Sequence, residues 1–524
     1  MKHGLVCNYL FSNRNNIGSL KSGSVILFCV FLTACAVGPD FKKPDAPKIN
    51  SYTEKPVSNE LATAPSIGGS KQNIQPGGDI PSEWWALYRS PELDVLIKQA
   101  LKRNPNLAAA DATLRAAQEN ANAVFGSLLF PNIGLGASAA RQQITPSTFG
   151  VSSGNPTIFN LYNTSVSVNY NVDVFGGARR AVQSAEAQAE ITRYQLEGAY
   201  LSLTANIVTT AIREAALRAQ YQSNLEIYQS QKNLADLIAK QLEIGTASRV
   251  DLTSQTALTA SSQIDLLSID KNLSFTRNQL AAYVGDFPGN AQLAKFDLSK
   301  LHLPESIPLS VPSDLVRQRP DIQAAEAYMK STNALVGVAT ANLLPQITLS
   351  GSTGSQALTT GALFGPNAAI WSVAGGVFQP LFQGGALLAQ RRGAIATYEA
   401  AVFQYQATVL NAFQEVANAL QALESDALAL RAASEAERNA FEYLTLLEEQ
   451  YKLGTGSYLA VLIAQRQYQQ TKFRLIDAQA SRFANTAALF AALGGGWWNR
   501  NGPAYQAQKK ESIFESNSGN QETR

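Results

Sequence analysis

Residues 241–246, QLEIGT, recur roughly 210 residues further along the chain as residues 450–455, QYKLGT. Each copy lies within a proline-free stretch that is rich in Ala, Gln, Leu, Glu and Arg, all good helix formers. The glycine of each copy is the one strong break in its stretch. Each stretch therefore predicts a helix of about 65 residues, a tight turn and a helix of about 38 residues, so the longer helix reaches ~100 Å.

The repetition extends over most of the chain, because residues 90–285 resemble residues 305–494. A repeat of this length is a duplicated half of a domain rather than a solenoid unit. Two similar halves usually pack about a pseudo-twofold axis, so the function must suit a quasi-symmetric object. The matched motifs are Asn104-Pro105 with Arg319-Pro320, LFPNI at 129–133 with LLPQI at 343–347, FGG at 175–177 with FQGG at 382–385, and AAYVG at 281–285 with AALG at 491–494.

Two pairs of segments with alternating apolar and polar residues interrupt the helical stretches, at 132–140 and 162–172 and at 347–352 and 370–378. About ten residues with one apolar face are typical of an outer-membrane β-strand, although a half-buried sheet of a water-soluble protein gives the same alternation. Four strands cannot close a membrane barrel, whose minimum is about eight. An open sheet edge cannot lie in lipid. If these strands are in a membrane, several chains must share one barrel.

The amino terminus has the pattern of a bacterial export signal. Residues 1–34 carry three basic side chains, no acid and a short apolar run that ends in Leu32-Thr33-Ala34 before Cys35. The run is shorter than the ~20 residues of a transmembrane anchor. The four residues that end at Cys35 resemble a bacterial lipobox, which implies cleavage before Cys35 and acylation of its thiol and amine. In bacterial lipoproteins, Ala36 rather than Asp after the cysteine favours the outer membrane.

Composition excludes several classes of site. Of Cys7, Cys29 and Cys35, two leave with the signal, so no disulfide can form within one mature chain. Loss of three positive charges changes the formal net charge from +2 to −1, which argues against nucleic-acid binding. Only His3 and His302 occur, and the first is removed. We therefore expect no catalytic residues, no metal site and no cofactor beyond the lipid on Cys35, an N-palmitoyl and S-diacylglycerol group.

The chain from Cys35 to about residue 496 resembles the TolC-like outer membrane efflux proteins, in the OprM-type lipoprotein branch. The motifs that carry the resemblance are VGPDF at 37–41, Trp84-Trp85, RPDIQAAE at 319–326, the Gly-Gly pairs after the strands, YKLG at 451–454 and LIAQR at 462–466. The resemblance implies a mainly α homotrimer, in which a β-barrel of about 12 strands continues into a periplasmic α-barrel of about 12 helices. It also implies a periplasmic adaptor and an inner-membrane pump, of the resistance-nodulation-division type, as partners.

The resemblance also assigns residues to a gate at the periplasmic end. Asp251 and Tyr451 match a hydrogen bond that closes TolC-type channels, and Leu459 and Arg466 match constriction positions of OprM-type channels. Ile463 stands where the family has an aspartate, which puts the cation preference of the family in doubt and allows an apolar constriction. Two alternatives stay open: Asp251 caps the helix that follows the turn, and Ile463 packs between helices. The turns themselves are expected to contact the adaptor, through Gly245, Thr246, Ala247 and Ser248 and through Gly454, Thr455, Gly456 and Ser457.

The expected function is a passive exit duct in the outer membrane, through which a pump and an adaptor export drugs or other small molecules. The alternatives are a lipid-anchored helical rod and the outer membrane component of a type I secretion system. No GxSxG, HExxH, CxxC or Walker pattern occurs, so we expect no enzyme, although a paired-carboxylate site stays open. The predicted divisions are the signal at 1–34, a lipid-anchored tether at 35–88, repeats at 89–285 and 313–496, a linker at 286–312 and a disordered tail at 497–524.

Overall fold

The computed structural model describes residues 36–55, 57–146, 150 and 154–500. The predicted signal, Cys35 and the tail beyond residue 500 lie outside these residues. Within them the chain forms eight α-helices and six β-strands. The helices are α1 Pro91–Arg103, α2 Pro105–Leu129, α3 Gly177–Glu243, α4 Arg249–Val284, α5 Pro312–Gln318, α6 Pro320–Ala341, α7 Ala386–Lys452 and α8 Tyr458–Ala492. The strands are β1 Asn73–Pro76, β2 Asn132–Ile144, β3 Thr157–Val172, β4 Ser306–Leu309, β5 Gln346–Ala357 and β6 Ala369–Phe378.

The long helices confirm the helical part of the prediction. Helices α3 and α7 each contain 67 residues, and the helices that follow them, α4 and α8, contain 36 and 35. The breaks fall at Gly245 and Gly454, whose φ angles of 80° and 73° lie in the left-handed region. Glycine adopts that region without steric cost, so a single residue ends each long helix and reverses the chain.

The main sheet contains four antiparallel strands in the order β2-β3-β5-β6. The first repeat supplies β2 and β3, the second supplies β5 and β6, and the repeats meet where Tyr162 pairs with Ala357 and Val172 with Ile347. The strands are longer than predicted: β2 has 13 residues and β3 has 16. The polar residues 141–143 interrupt the alternation of apolar and polar side chains in β2, so the predicted strand ended at residue 140. The backbone pairing to β3 nevertheless continues through them to Ile144.

The segment that was predicted to be a tether is packed against other parts of the chain. Strand β1 pairs in parallel with β4, from Asn73 opposite Ser306 to Pro76 opposite Leu309. The buried guanidinium of Arg482 donates to the carbonyl oxygens of Ala62 and Ser70, each at 3.0 Å. A buried cation needs such acceptors, so residues 59–76 have a fixed path.

A second buried charge holds the linker between the repeats. The Glu214 side chain is fully buried and pairs with Arg218 and with Arg277, whose Nη1 lies 2.9 Å from Glu214 Oε1. The backbone N–H of Phe296 donates to Glu214 Oε2 at 3.1 Å. Arg277 also donates to the carbonyl oxygen of Leu293. One carboxylate therefore links α3, α4 and the linker.

The RPDIQAAE motif, residues 319–326, has a structural role at the start of α6. Pro320 is the first residue of α6, where its missing N–H costs no hydrogen bond. The Arg319 guanidinium donates to Asp321 and, over 2.8 Å, to the carbonyl oxygen of Ala492. It also pairs with Glu415 at 2.7 Å. The motif thus connects the start of α6 to α7 and to the end of α8.

The described chain divides into two compact units, each built from separate stretches of sequence. The first unit consists of residues up to Phe41, Ala121–Ala185 and Ser331–Tyr398, and it contains the main sheet. The second consists of Lys42–Asn120, Glu186–Lys330 and the chain from Glu399 onward. Its core includes Trp84, whose ring stacks on Phe490 with 5.5 Å between centroids. No α-helix in the described residues is both apolar and long enough to span a bilayer.

Candidate functional site

The two Gly-Thr turns have the same hydrogen bonds. The carbonyl oxygen of Gln241 accepts from the backbone N–H of Thr246 at 2.8 Å, and the carbonyl oxygen of Gln450 accepts from that of Thr455 at 3.0 Å. The threonine hydroxyls donate to the same two carbonyl oxygens, at 3.1 Å and 3.2 Å. The turns, residues 243–248 and 452–457, are mostly exposed. The duplication therefore produces two equivalent turns that a partner could contact.

The starts of the following helices differ between the repeats. The Asp251 carboxylate accepts from the backbone N–H of Ser248 at 3.0 Å and from its hydroxyl at 2.6 Å, while the Ser248 hydroxyl accepts from the Asp251 N–H. This reciprocal pair is a capping box. In the second repeat Ser457 makes no such side-chain cap, and Ala460 takes the place of Asp251. Only the first hairpin has a carboxylate at this position.

Tyr451 is bonded to glutamine rather than to aspartate. Its hydroxyl donates to Gln241 Oε1 at 3.1 Å, which joins α7 to α3. Within the described chain the expected bond from Tyr451 to Asp251 is not present, because the Asp251 carboxylate is engaged in the capping box. Within one chain Asp251 therefore caps the start of α4, as the alternative interpretation holds. The gate that this pair would form stays a prediction.

Asp251 nevertheless lies close enough to affect two tyrosines. Burial, and then the negative charge of Asp251, raise the pKa of Tyr451 above its ordinary value. Burial, Asp251 and Tyr451 raise the pKa of Tyr458 to about 12, and the positive charge of Arg466 partly opposes them. The Tyr458 hydroxyl donates to Gln255 Oε1 at 2.5 Å. The turn region therefore contains two neutral phenols held beside one carboxylate.

A row of buried polar side chains continues from Gln255 between α3 and α4. Gln255 is fully buried and donates to the carbonyl oxygen of Gln231 at 3.0 Å. Ser262 donates to Gln231 Oε1 at 2.6 Å, and Asn224 donates to the carbonyl oxygen of Ser262 at 3.0 Å. Gln469 of α8 then donates to Asn224 Oδ1. Buried amides of this kind fix the register of packed helices, because a shift would leave them unpaired.

Leu459, Ile463 and Arg466 lie on one exposed stripe of α8. Their spacing of four and three residues places them on the same helix face. Leu459 is 61% exposed and Ile463 is 53% exposed, whereas the intervening residues Val461 and Leu462 are buried. In the single chain the Ile463 side chain is half exposed, and both the constriction and the alternative in which Ile463 packs between helices stay predictions.

The charge of this stripe is positive at Arg466. Ile463 supplies none, and Leu459 is apolar. A shallow groove of about 550 Å³ beside Arg466 is lined by Asp265 of α4 and by amide side chains of α3 and α8. No cluster of His, Cys, Asp or Glu placed to hold a metal ion occurs in the described part of the chain. Within one chain the stripe therefore carries two apolar side chains and one guanidinium, and no carboxylate.

Sequence reasoning missed Gln241, Gln255 and Tyr458. Glutamines are frequent on both faces of these helices, so composition gave no reason to select two of them. One signal was present, because Gln241 corresponds to Gln450 in the repeat and lies directly at the turn. For Tyr458, the signal was its position as the first residue of α8, directly after the turn, which brings it near Asp251 when the two hairpins pack together.

Relatives with similar sequences span nearly the whole chain. A family model described as outer membrane efflux protein matches residues 96–286 and 311–495, two segments that overlap the predicted repeats at 89–285 and 313–496. The pyoverdine export outer membrane protein OpmQ of Pseudomonas putida is 30% identical over 448 residues, covering 84% of this chain and 94% of OpmQ. The probable efflux pump outer membrane protein TtgC of the same species is 28% identical over 507 residues, covering 94% and 99%.

Solved structures agree with these matches. The outer-membrane channel OprN superposes with a TM-score of 0.79 at 25% sequence identity, covering 88% of this chain and 100% of OprN. The outer membrane protein VceC of Vibrio cholerae superposes with a TM-score of 0.73 at 27% identity, covering 80% of this chain and 100% of VceC.

Proposed function

Because the chain belongs to the outer membrane efflux protein family, we propose that three copies of it form the exit duct of a tripartite efflux system. The protein is an outer membrane efflux protein with the fold of the TolC-like channels, which extend from the outer membrane into the periplasm. Relatives are named for the export of pyoverdine and of toluene. The duct conducts small molecules passively, and the inner-membrane pump selects them.

The open sheet supports the trimer. Among the described residues, β2 and β6 each pair with a neighbour on one side only, so each leaves a row of backbone groups unpaired. Large apolar side chains on these strands are exposed, for example Leu135 at 80% and Trp371 at 79%. Lipid tolerates apolar side chains but not an open edge. Three chains, joined β6 to β2, close a barrel of about 12 strands.

The long helices supply the periplasmic part of the duct. Helices α3, α4, α7 and α8 of three chains give a tunnel of about 12 helices. Leu459, Ile463 and Arg466 form its constriction. The adaptor contacts residues 245–248 and 454–457, and this contact moves the helices outward and opens the mouth. The acyl groups on Cys35 act as a second anchor, because the barrel itself provides the membrane-spanning surface.

The test uses the full-length protein extracted in detergent. Its mass and chemical cross-linking should give three chains, and reconstitution in planar bilayers should give conducting channels. Circular dichroism should show both sheet and helix. A mass of one chain, cross-linking that stops at dimers, or correctly folded protein without conductance would overturn the proposal. A folded, all-helical monomer would support the rod instead.

A further inference from the structure

The first described residues are held in the first unit, where β3 passes into α3. The backbone N–H of Val37 donates to the carbonyl oxygen of Phe175 at 2.9 Å. The Arg180 guanidinium donates to the carbonyl oxygen of Val37 at 3.4 Å and to Asp40 Oδ1 at 2.7 Å. The Arg180 side chain is only 7% exposed, whereas Asp40 is 88% exposed. A buried cation thus depends on residues 37–40 for two of its acceptors.

Around residues 36–38 the backbone lies so close to neighbouring segments that there is no room for additional side chains. A Cβ atom on Gly38 would lie 2.5 Å from Gly337 Cα, and one on Gly337 would lie 2.8 Å from Arg180 Cγ and 3.1 Å from the Val37 oxygen. A Cβ atom on Gly176 would lie 2.6 Å from Ala36 Cα. Side chains at Gly176 or Gly337 would therefore displace the segment. We name the groove formed by Phe175, Gly176, Arg180 and Gly337 the amino-terminal seat.

The second repeat provides an internal comparison. Its Gly-Gly bend is retained, but a Cβ atom on Gly384 would have no other atom within 4 Å. Alignment of the two bends places Leu388 where the first repeat has Arg180, and alignment of α2 with α6 places Ala123 where α6 has Gly337. The bend alone therefore does not create the seat. Only the bend of the first repeat combines a guanidinium, that of Arg180, with a facing residue that has no side chain, Gly337 of α6.

We propose that the amino-terminal seat is a binding site for residues 36–40 and that it fixes the position of the modified amino terminus of the mature chain. Its ligand is an extended peptide segment, recognised through a backbone N–H, a backbone carbonyl and one carboxylate. Only Ala36 separates Cys35 from Val37, so the backbone that carries the acyl groups emerges within roughly 7 Å of Val37. The docking is independent of the duct, whereas the statement about the acyl groups rests on the acylation included in the proposed function.

Amide hydrogen exchange of the full-length protein in detergent, read from peptides that contain residues 36–40, tests the docking. Arg180→Ala removes the cation, and Gly337→Val fills the groove. Both should accelerate exchange of the Val37 amide about tenfold or more, because its bond to Phe175 opens. The matched control is Arg213→Ala, an exposed arginine of the same helix, which should leave the exchange unchanged. Circular dichroism and the melting temperature establish that each variant is folded.

Unchanged exchange in folded Arg180→Ala would overturn the proposal. If neither Arg180→Ala nor Gly337→Val folds, Asp40→Ala provides the test. The Asp40 side chain is exposed, so its removal leaves no cavity in the fold. This variant should accelerate exchange about twofold to threefold, and no acceleration would again count against the seat. Cys35→Ala should keep the wild-type exchange pattern. A protein with a protected segment but without conductance would contradict the duct and leave the seat intact.

Discussion

The hydroxyl of Tyr451 lies 3.1 Å from Gln241 Oε1, and this bond joins the last turns of the two 67-residue helices. Gln241 is at the same time the residue whose backbone carbonyl closes the first turn. Any movement that separates α7 from α3 at this end must therefore break a bond beside the turn that is proposed to contact the adaptor. A displacement of the first turn by the proposed adaptor would therefore act directly on the contact between α3 and α7.

The first prediction concerns the gate. Tyr451→Phe combined with Asp251→Ala should raise single-channel conductance several-fold in planar bilayers, if bonds from these side chains hold the mouth closed. The bond from Tyr451 to Gln241 is neutral and contributes about 0.5–1.5 kcal/mol, whereas the bond to Asp251 implied by the family resemblance would be charge-assisted and would contribute about 1.5–3 kcal/mol. Ser248→Ala is the matched control, because it removes the cap but keeps the carboxylate. Equal, unchanged conductance in both variants would leave Asp251 with its capping role alone.

The second prediction concerns ion preference. Ile463→Asp should shift the reversal potential in a salt gradient toward cations, because it places a carboxylate in each chain at the constriction. Leu446→Asp of α7 is the control, since Leu446 and Ile463 are both 53% exposed but Leu446 is not on the α8 stripe. If both variants shift the potential equally, the charge acts through the general field of the duct. The constriction would then not include Ile463.

The third prediction concerns the linker. Glu214→Gln should destabilise the protein by about 3–5 kcal/mol, because it leaves the paired guanidinium groups of Arg218 and Arg277 without their carboxylate. Urea unfolding followed by circular dichroism, at one fixed protein concentration, measures the loss. Glu435→Gln, at an exposed position of α7, should change stability by less than about 0.5 kcal/mol. Equal stability of the two variants would contradict the role of Glu214.

The fourth prediction concerns alkaline pH. The folded-state pKa of Tyr458 is about 12, above the ordinary value of 10.0, so the neutral phenol is favoured by folding. The stabilisation is therefore complete below pH 10 and is lost as the pH rises through about 12. A nitroxide spin label attached to the cysteine of a Thr246→Cys variant should therefore become more mobile between pH 10 and pH 12, as measured by electron paramagnetic resonance. In a Tyr458→Phe background the label should be mobile already at neutral pH, and an unchanged step would exclude Tyr458 as its cause.

The fifth prediction concerns the anchor. Cys35→Ala should prevent acylation, alter signal processing and move part of the protein out of the outer membrane fraction. Mass spectrometry of the mature wild-type amino terminus measures the modification directly. An unmodified Cys35 in the mature wild-type protein would contradict the lipid anchor. Channel conductance of the purified variant should stay near the wild-type value, because the barrel rather than the lipid forms the pore.

The sequence was sufficient for the helices and for the location of the strands. Helices α3, α4, α7 and α8 follow from local sequence. Each pair lies in a stretch of more than a hundred residues without proline, and one glycine in each stretch separates the two helices. The register of one helix against another is not local. Gln241 became the partner of Tyr451 only through the packing of α3 on α7, and the repeat marks Gln241 as a turn residue without indicating which side chain it meets.

The same limit explains the amino-terminal segment. Its prolines, serines and glycines predict a chain without regular structure, and most of it has none. Two side chains that are far away in sequence hold this segment in place. Arg482 holds residues 62–72, and Arg180 holds residues 37–40. An arginine in a helix is usually a solvated surface residue, so sequence periodicity gave no reason to expect either contact.

The contact between Arg482 and Ala62 spans 420 residues of sequence. An exported chain leaves its translocation channel amino terminus first, so the segment around Ala62 reaches the periplasm long before its guanidinium arrives. During that interval residues 62–72 lack the guanidinium that holds them in the folded protein, so they are more accessible to chaperones and proteases. The second unit is therefore complete only when almost the whole polypeptide has crossed the inner membrane, and a chain that ends before Arg482 lacks the side chain that holds this segment.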